Sequence, residues 1–245
     1  MKKIGFIGLG NMGFFMSKNL AKQNFQVYGF DINKTAMDTA KIHKINKTDS
    51  LEEVSKNKDI IITMLPDGKT VEKVWLSILP LIDNKTIIVD CSTIDIHTAK
   101  KLHSLCNAKN IFSLDAPVSG GTIGAENATL TFMVGGNKDA FKKIKPILKI
   151  MGKKLIHCGE GGAGQSTKMC NNLLLAITMK GVGEAFKLAD ALNLDKQKLY
   201  EVVSTSSGSC WAINNYCPVK GIGPNSPADN NFKPGFSSTL MFKDL

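Results

Sequence analysis

Lys168 and Asn172 stand four positions apart in Gly164-Gln165-Ser166-Thr167-Lys168-Met169-Cys170-Asn171-Asn172, so on a helix they project from one face, a turn from each other. A lysine near the start of an apolar helix is costly to bury, because loss of water disfavours its charged form. The same bias suits a group that must take up and return a proton. Spacing alone equally admits a lysine that stretches to solvent beside an asparagine. The second constellation, Gly8-Leu9-Gly10-Asn11-Met12-Gly13, fits G-x-G-x-x-G. Alone it is weak, but it follows an apolar run, opens a helical one, and precedes a second apolar run that ends in Asp31. In that setting Gly8 permits a tight turn, Gly10 lets backbone approach a pyrophosphate, and Gly13 lets helix and strand pack closely. A carboxylate at Asp31 would accept hydrogen bonds from the ribose hydroxyls of NAD and repel the 2′-phosphate of NADP. The plainer alternatives are a glycine-rich turn and a strand-end aspartate that hold no ligand.

Both constellations need a scaffold that sets strand ends beside helix starts. Short apolar runs at 4–7, 25–30, 59–64, 86–90, 111–115, 129–134 and 154–157 predict strands, and segments of helical period at 11–23, 34–43, 70–78, 96–107 and 138–150 lie between several of them. Such alternation predicts a parallel sheet covered on both faces, and strands that are nearly all apolar suit double burial. The fold class is therefore α/β: a Rossmann-type doubly wound sheet over residues 1–160, followed by an all-helical domain over 161–245. After His157, the run Cys158-Gly159-Glu160-Gly161-Gly162-Ala163-Gly164 reads as a flexible hinge. From Gln165 to about Leu192 only Gly181 and Gly183 interrupt a long helix. Its apolar residues Met169, Leu173, Leu174, Ile177, Val182, Phe186, Leu188 and Ala189 cover most of its circumference, which predicts burial between other elements. The two glycines predict a close-packing site between helices or, as the alternative, a kink. A further helix at about 196–204 precedes an irregular stretch at 206–234.

Composition prunes the functions this scaffold could serve. The 245 residues carry 31 Lys+Arg against 21 Asp+Glu, a formal charge of +10, and all 31 basic residues are lysine. Arginine forks onto phosphate, carboxylate or guanine, whereas lysine is a hydrated point charge on a flexible stem. Its absence argues against specific nucleic-acid reading and, beside Asp31, against NADP; scattered lysines would hold polyanions only loosely. The 43% apolar and 21% charged content is that of a soluble globular chain. No apolar run approaches the ~18 residues that cross a bilayer, so no membrane partner is expected. Cys91, Cys106, Cys158, Cys170, Cys210 and Cys217 form no C-x-x-C pair, and His43, His97, His103 and His157 show no ligand spacing. Reduced thiols and no metal site follow. The strand pattern begins directly after Met1-Lys2, which predicts a cytoplasmic setting, or the mitochondrial matrix if a targeting segment is missing.

Four motifs in order carry a resemblance that spans the chain: Gly8 to Gly13, Asp115-Ala116-Pro117-Val118-Ser119-Gly120-Gly121, Gly164 to Asn172, and Leu240-Met241-Phe242-Lys243-Asp244-Leu245. Together they resemble the signatures of the β-hydroxyacid dehydrogenases. The stretch from Gly208-Ser209-Cys210-Trp211 through Asn215-Tyr216, Pro218 and Gly235-Phe236 is most similar to members that oxidise 3-hydroxyisobutyrate to methylmalonate semialdehyde, a step of valine catabolism. The resemblance implies that Ser119, Gly120 and Gly121 hold the substrate carboxylate, that Lys168 is the general acid and base, and that Asn172 positions the substrate. It implies further that Gly8, Leu9, Gly10, Asn11, Met12, Gly13 and Asp31 bind NAD, that Leu65, Pro66 and Thr93 line the cofactor groove, and that Lys243 reaches the nicotinamide end. Trp211 and Phe236 would close the apolar side of the pocket or, by bulk, belong to the core. The related 6-phosphogluconate enzymes carry histidine where this chain has Asn171, and their phosphorylated substrate calls for absent arginines. A tartronate semialdehyde reductase shares the serine-glycine-glycine and lysine-asparagine elements and stays open.

The chain departs from the family pattern at its end, where relatives continue past Lys243-Asp244-Leu245 into further helices and much of a dimer surface. The expectation is a truncated chain with Lys243 and Asp244 on a fraying terminus, exposed apolar patches on the long helix, and doubtful formation of the homo-oligomer usual in the family. A contrasting reading follows: an inactive NAD-binding module that serves as an interaction partner.

Overall fold

The structure, a computed structural model, describes residues 2–23, 25–232 and 238–244. It divides into two compact units, Met1–Lys168 and Met169–Leu245. Among the described residues the first unit is built on a sheet of nine strands: β1 (Lys3–Ile7), β2 (Gln26–Phe30), β3 (Asn46–Lys47), β4 (Ile60–Thr63), β5 (Ile87–Asp90), β6 (Phe112–Asp115), β7 (Val118–Ser119), β8 (Leu130–Gly136) and β9 (Gly152–Gly159). They lie in the order β3-β2-β1-β4-β5-β6-β8-β7, with β9 beside β8. From β3 to β6 every neighbour is parallel, whereas β8 runs antiparallel to β6 and β7. Chain order reverses between β1 and β4, and in a sheet wound this way ligands bind outside the carboxyl ends of the strands at that reversal.

Alternation along the central strands builds two cores. Ile60 and Ile62 of β4 join a cluster with Ile4, Phe6 and Val89, while Ile61 joins another with Ile7 and Ile88. Successive side chains point to opposite faces of a strand, so three consecutive buried apolar residues feed both layers at once. The layers are helices α1 (Gly13–Lys22), α2 (Lys34–Ile42), α3 (Leu51–Ser55), α4 (Gly68–Ile78), α5 (Ile96–Ala108), α6 (Gly121–Glu126) and α7 (Lys138–Leu148). Several start at a side-chain cap: Asn33 accepts from the Thr35 and Ala36 N–H groups, and Asp67 and Asp95 accept from the Thr70 and Thr98 N–H groups.

Helix α8 (Ala163–Ala191) leads into the second unit, which continues with α9 (Lys196–Thr205), α10 (Trp211–Asn215), a 3₁₀ turn at Pro227–Asn230 and α11 (Ser238–Asp244). Val182 and Phe186 of α8 pack with Ala212, Ile213 and Cys217 in the core of this unit. Two expectations fail on this helix. Leu173, Leu174, Ile177 and Leu188 are 52–63% exposed, against the burial read from the apolar circumference and in line with the exposed apolar patches expected on this helix; of its apolar residues Val182, Phe186 and Ala189 are buried. Among the described residues Gly181 and Gly183 form no packing site either: a Cβ at each would meet nothing there within 4 Å.

The glycine run before α8 is likewise not a loose hinge. β9 extends through Gly159, and Gly159 and Gly162 take left-handed φ values of 135° and 90°. A Cβ at Gly161 would overlap the His103 ring, and one at Gly164 would overlap the Met133 and Asp115 backbone oxygens. These glycines serve close approach, which their abundance in the sequence does not distinguish from flexibility.

Candidate active site

At the end of β1 the chain turns through Gly8, whose N–H donates to the Phe30 carbonyl at 2.9 Å and whose φ of 96° suits glycine. A Cβ at Gly8 would overlap the Met64 carbonyl oxygen, and one at Gly13 would overlap the Gly8 carbonyl oxygen, so both glycines seat α1 against the sheet. Gly10 differs. A Cβ there would meet nothing within 4 Å, so this glycine leaves space open rather than filling a crowded contact. Beside that space α1 begins at Met12 with no side-chain cap and no acidic residue in its first turn. An open, uncapped, unopposed helix start fits the pyrophosphate of a dinucleotide. Asn11 is exposed, and Leu9 is buried with its N–H donated to the Asp31 carboxylate at 2.7 Å. Asp31 also accepts from the Asn33 N–H at 2.8 Å, which fixes the carboxylate at the end of β2 next to the loop.

The neighbouring loops, after β4 and β5, are stitched together. The Leu65 N–H donates to the Ser92 hydroxyl at 2.8 Å, and that hydroxyl donates to Asp90 Oδ1 at 2.6 Å. Thr63 Oγ1 donates to the same oxygen at 2.7 Å and accepts from the Trp75 indole N–H at 3.2 Å. Leu65 and Thr93 are half-buried and Pro66 is exposed, at the strand ends where the reversal of chain order puts the crevice. Burial pushes the Asp90 carboxyl up to about 6, against the opposing hydrogen bonds from Ser92 and Thr63.

Ser119 ends β7 and faces Thr131 across the ladder. Gly120 and Gly121 follow with φ of 132° and 60°, and α6 starts there with no side-chain cap and with open space at the Gly121 Cβ position. No helix is predicted from the sequence at α6, and the residue that holds it carries no local signal: buried Asn19 of α1 donates to the Ala125 carbonyl at 2.8 Å. One side chain thus couples α1 to the helix that follows Ser119.

Lys168 lies on the second turn of α8 and is 8% exposed, so burial and not reach to solvent is its environment. The start of that helix is held by Gln165, whose side chain donates to the Ser92 carbonyl at 2.8 Å and accepts from the Ile94 N–H at 3.1 Å. In the second unit Asn172 is buried, donates to Asp244 Oδ2 at 2.8 Å, and accepts from the Asn171 side-chain amide at 3.1 Å. Asp244 pairs with Lys243 at 2.8 Å and is itself buried, so this segment is anchored where a fraying end was expected. Trp211 is 53% exposed and stacked on Tyr216, which removes it from the core. Phe236 lies outside the described residues. Ser92, Gln165 and Asn19 are not recognisable in the sequence, because nothing in a lone serine, glutamine or asparagine marks a partner 71 to 106 positions away.

Residues 3–159 match the family described as the NAD binding domain of 6-phosphogluconate dehydrogenase, and residues 162–245 match the one described as NAD-binding of NADP-dependent 3-hydroxyisobutyrate dehydrogenase. The fold and these matches define an oxidoreductase with an NAD-binding domain, of the β-hydroxyacid dehydrogenase class. The solved structure of Mycobacterium tuberculosis 3-hydroxyisobutyrate dehydrogenase with L-serine is 45% identical, superposes with a TM-score of 0.95, and is matched over 100% of this chain and 84% of its own. The mitochondrial 3-hydroxyisobutyrate dehydrogenase of Drosophila melanogaster is 45% identical over 100% of this chain and 76% of its own length. An NAD-dependent L-serine dehydrogenase of Pseudomonas aeruginosa is 41% identical over 100% of this chain and 83% of its own. The chain belongs to the 3-hydroxyisobutyrate dehydrogenase family.

Proposed function

We propose that this protein oxidises 3-hydroxyisobutyrate to methylmalonate semialdehyde with NAD. The observation that carries the reading is Lys168, buried on the second turn of α8 in the unit that also holds the open glycine loop and Asp31. NAD, when bound, supplies the acceptor for the hydride that leaves the carbinol carbon. Lys168 in its neutral form takes the hydroxyl proton, and in the reverse direction its ammonium returns it. The Ser119 hydroxyl and the Gly120 and Gly121 N–H groups hold the carboxylate, which gives a chain without arginine a means of binding an acid. Asn172, one turn further along α8, orients the reacting hydroxyl, a role assigned on the family resemblance. Asp31 sets the preference for NAD: its carboxylate meets ribose hydroxyls favourably and a 2′-phosphate unfavourably. One of the two matching family descriptions names an NADP-dependent enzyme; the choice of NAD here rests on Asp31 at the end of β2 and on the absence of arginine.

L-serine is the second reading. It is also a 3-hydroxy acid, and two similar proteins carry it in their names or ligands. A panel of 3-hydroxyisobutyrate, L-serine and tartronate semialdehyde (in the reducing direction), run with both dinucleotides on the parent chain and on Lys168→Ala, decides among them. The expected outcome is highest kcat/KM for 3-hydroxyisobutyrate with NAD, and a fall in kcat of roughly 10²–10⁴-fold in the variant. Preference for NADP would remove the Asp31 argument, and undiminished turnover in Lys168→Ala would remove the base.

A further inference from the structure

We propose that Asp115, held by His103, is a positioning residue that sets the rotational register of α8 and so the direction in which Lys168 points. Asp115 is 2% exposed, and its carboxylate serves three donors: Oδ1 accepts from the Gly162 N–H at 2.8 Å and from His103 Nε2 at 2.9 Å, and Oδ2 accepts from the Gln165 N–H at 2.9 Å. Gly162 and Gln165 flank the first residues of α8, so a carboxylate on β6 caps a helix start whose first donor, Gly162, lies 47 positions later in the chain. With Nε2 donating to Asp115, the other ring nitrogen, Nδ1, is the acceptor that the Ser113 hydroxyl meets at 2.7 Å.

The surroundings are shaped around this pair. A Cβ at Gly135 would overlap Asp115 Oδ1, one at Gly161 the His103 ring, and one at Gly164 would press on Asp115 Oδ2. A buried carboxylate is expensive unless each oxygen is served, so losing the His103 donor leaves Oδ1 underserved and weakens the cap. The consequence is geometric. An α-helix turns by about 100° per residue, so a cap that slips by one residue swings Lys168 away from its direction while leaving the helix intact.

This inference rests on Lys168 being the base. The test compares His103→Leu, His103→Gln, Asp115→Asn and Lys168→Ala by steady-state kinetics, NAD titration and circular dichroism. His103→Leu and Asp115→Asn are expected to lower kcat by about 10–100-fold, with KM for NAD within about twofold and unchanged dichroism. His103→Gln keeps an N–H donor toward Asp115 and is expected to recover most of the His103→Leu loss. Should Asp115→Asn fail to fold, the two His103 variants decide. Parent-like kcat in His103→Leu, equal loss in His103→Gln, or loss carried by KM for NAD overturns the proposal. An active Lys168→Ala would instead overturn the reading beneath it, so the two failures are told apart.

Discussion

Asp90 shows how far one side chain can be pushed by its setting. Its Oδ1 gathers Thr63 and Ser92, while its Oδ2 is buried and has no hydrogen-bond partner among the described residues. The carboxyl, ordinarily near 3.8, is raised to about 6, chiefly by burial. Below about pH 4 the group is protonated folded or unfolded and costs nothing. Between about 4 and 6 the unfolded chain releases this proton while the folded chain keeps it, so stability falls as pH rises, and above 6 the whole cost is present. That cost is roughly 3 kcal/mol at about 1.4 kcal/mol per pKa unit. Asp90→Asn keeps an acceptor for Thr63 and Ser92 and cannot ionise. Its stability relative to the parent, from urea unfolding at pH 4.5 and pH 8, is expected to improve by roughly 2–3 kcal/mol at the higher pH; a pH-independent difference would count against this account.

At the scale of elements, the helix α6 is the sensitive piece, since it is only six residues long and Asn19 ties its last turn to α1. Asn19→Ala is expected to raise KM for the hydroxy acid several-fold and to leave the Kd for NAD nearly unchanged, because the loop from Gly8 to Gly13 does not depend on that bond. Equal effects on both ligands would show that α1 itself had moved. The long strands and helices of the first unit were legible in the sequence because their periods repeat over several residues. β3 and β7 have two residues each and no period to read, and α3 and α6 are barely a turn and a half. The glycine loop and Asp31 were legible because their partners lie within one β-α-β unit. The His103 and Asp115 pair was not, since its meaning lies in the Gly162 and Gln165 N–H groups that only folding brings to it. Helix α8 misled in another way: an apolar circumference speaks of what could be covered, and Leu173, Leu174 and Ile177 stay in the open.

At the scale of the molecule, dinucleotide binding should act on stability through the first unit, which holds the glycine loop and Asp31. A ligand at one hundred times its Kd stabilises by about 2.7 kcal/mol, and for a chain of this size that is a rise in Tm of roughly 5–10 °C. NAD is expected to produce such a rise in a thermal melt, and NADP at the same concentration a distinctly smaller one; equal shifts would show that Asp31 does not discriminate. The turn from Gly159 to Gly164 carries a consequence for how such proteins recombine. The two family matches part between residues 159 and 162, which marks that turn as the obvious seam for grafting the second domain of one relative onto the first of another. The seam runs through a lock. Asp115 and His103 on one side hold Gly162 and Gln165 on the other, and Gly135, Gly161 and Gly164 leave no room for side chains around the joint. A working chimaera must therefore inherit α5, β6, β8 and the first turn of α8 from a single parent, and evolution, shuffling the same parts, faces the same rule.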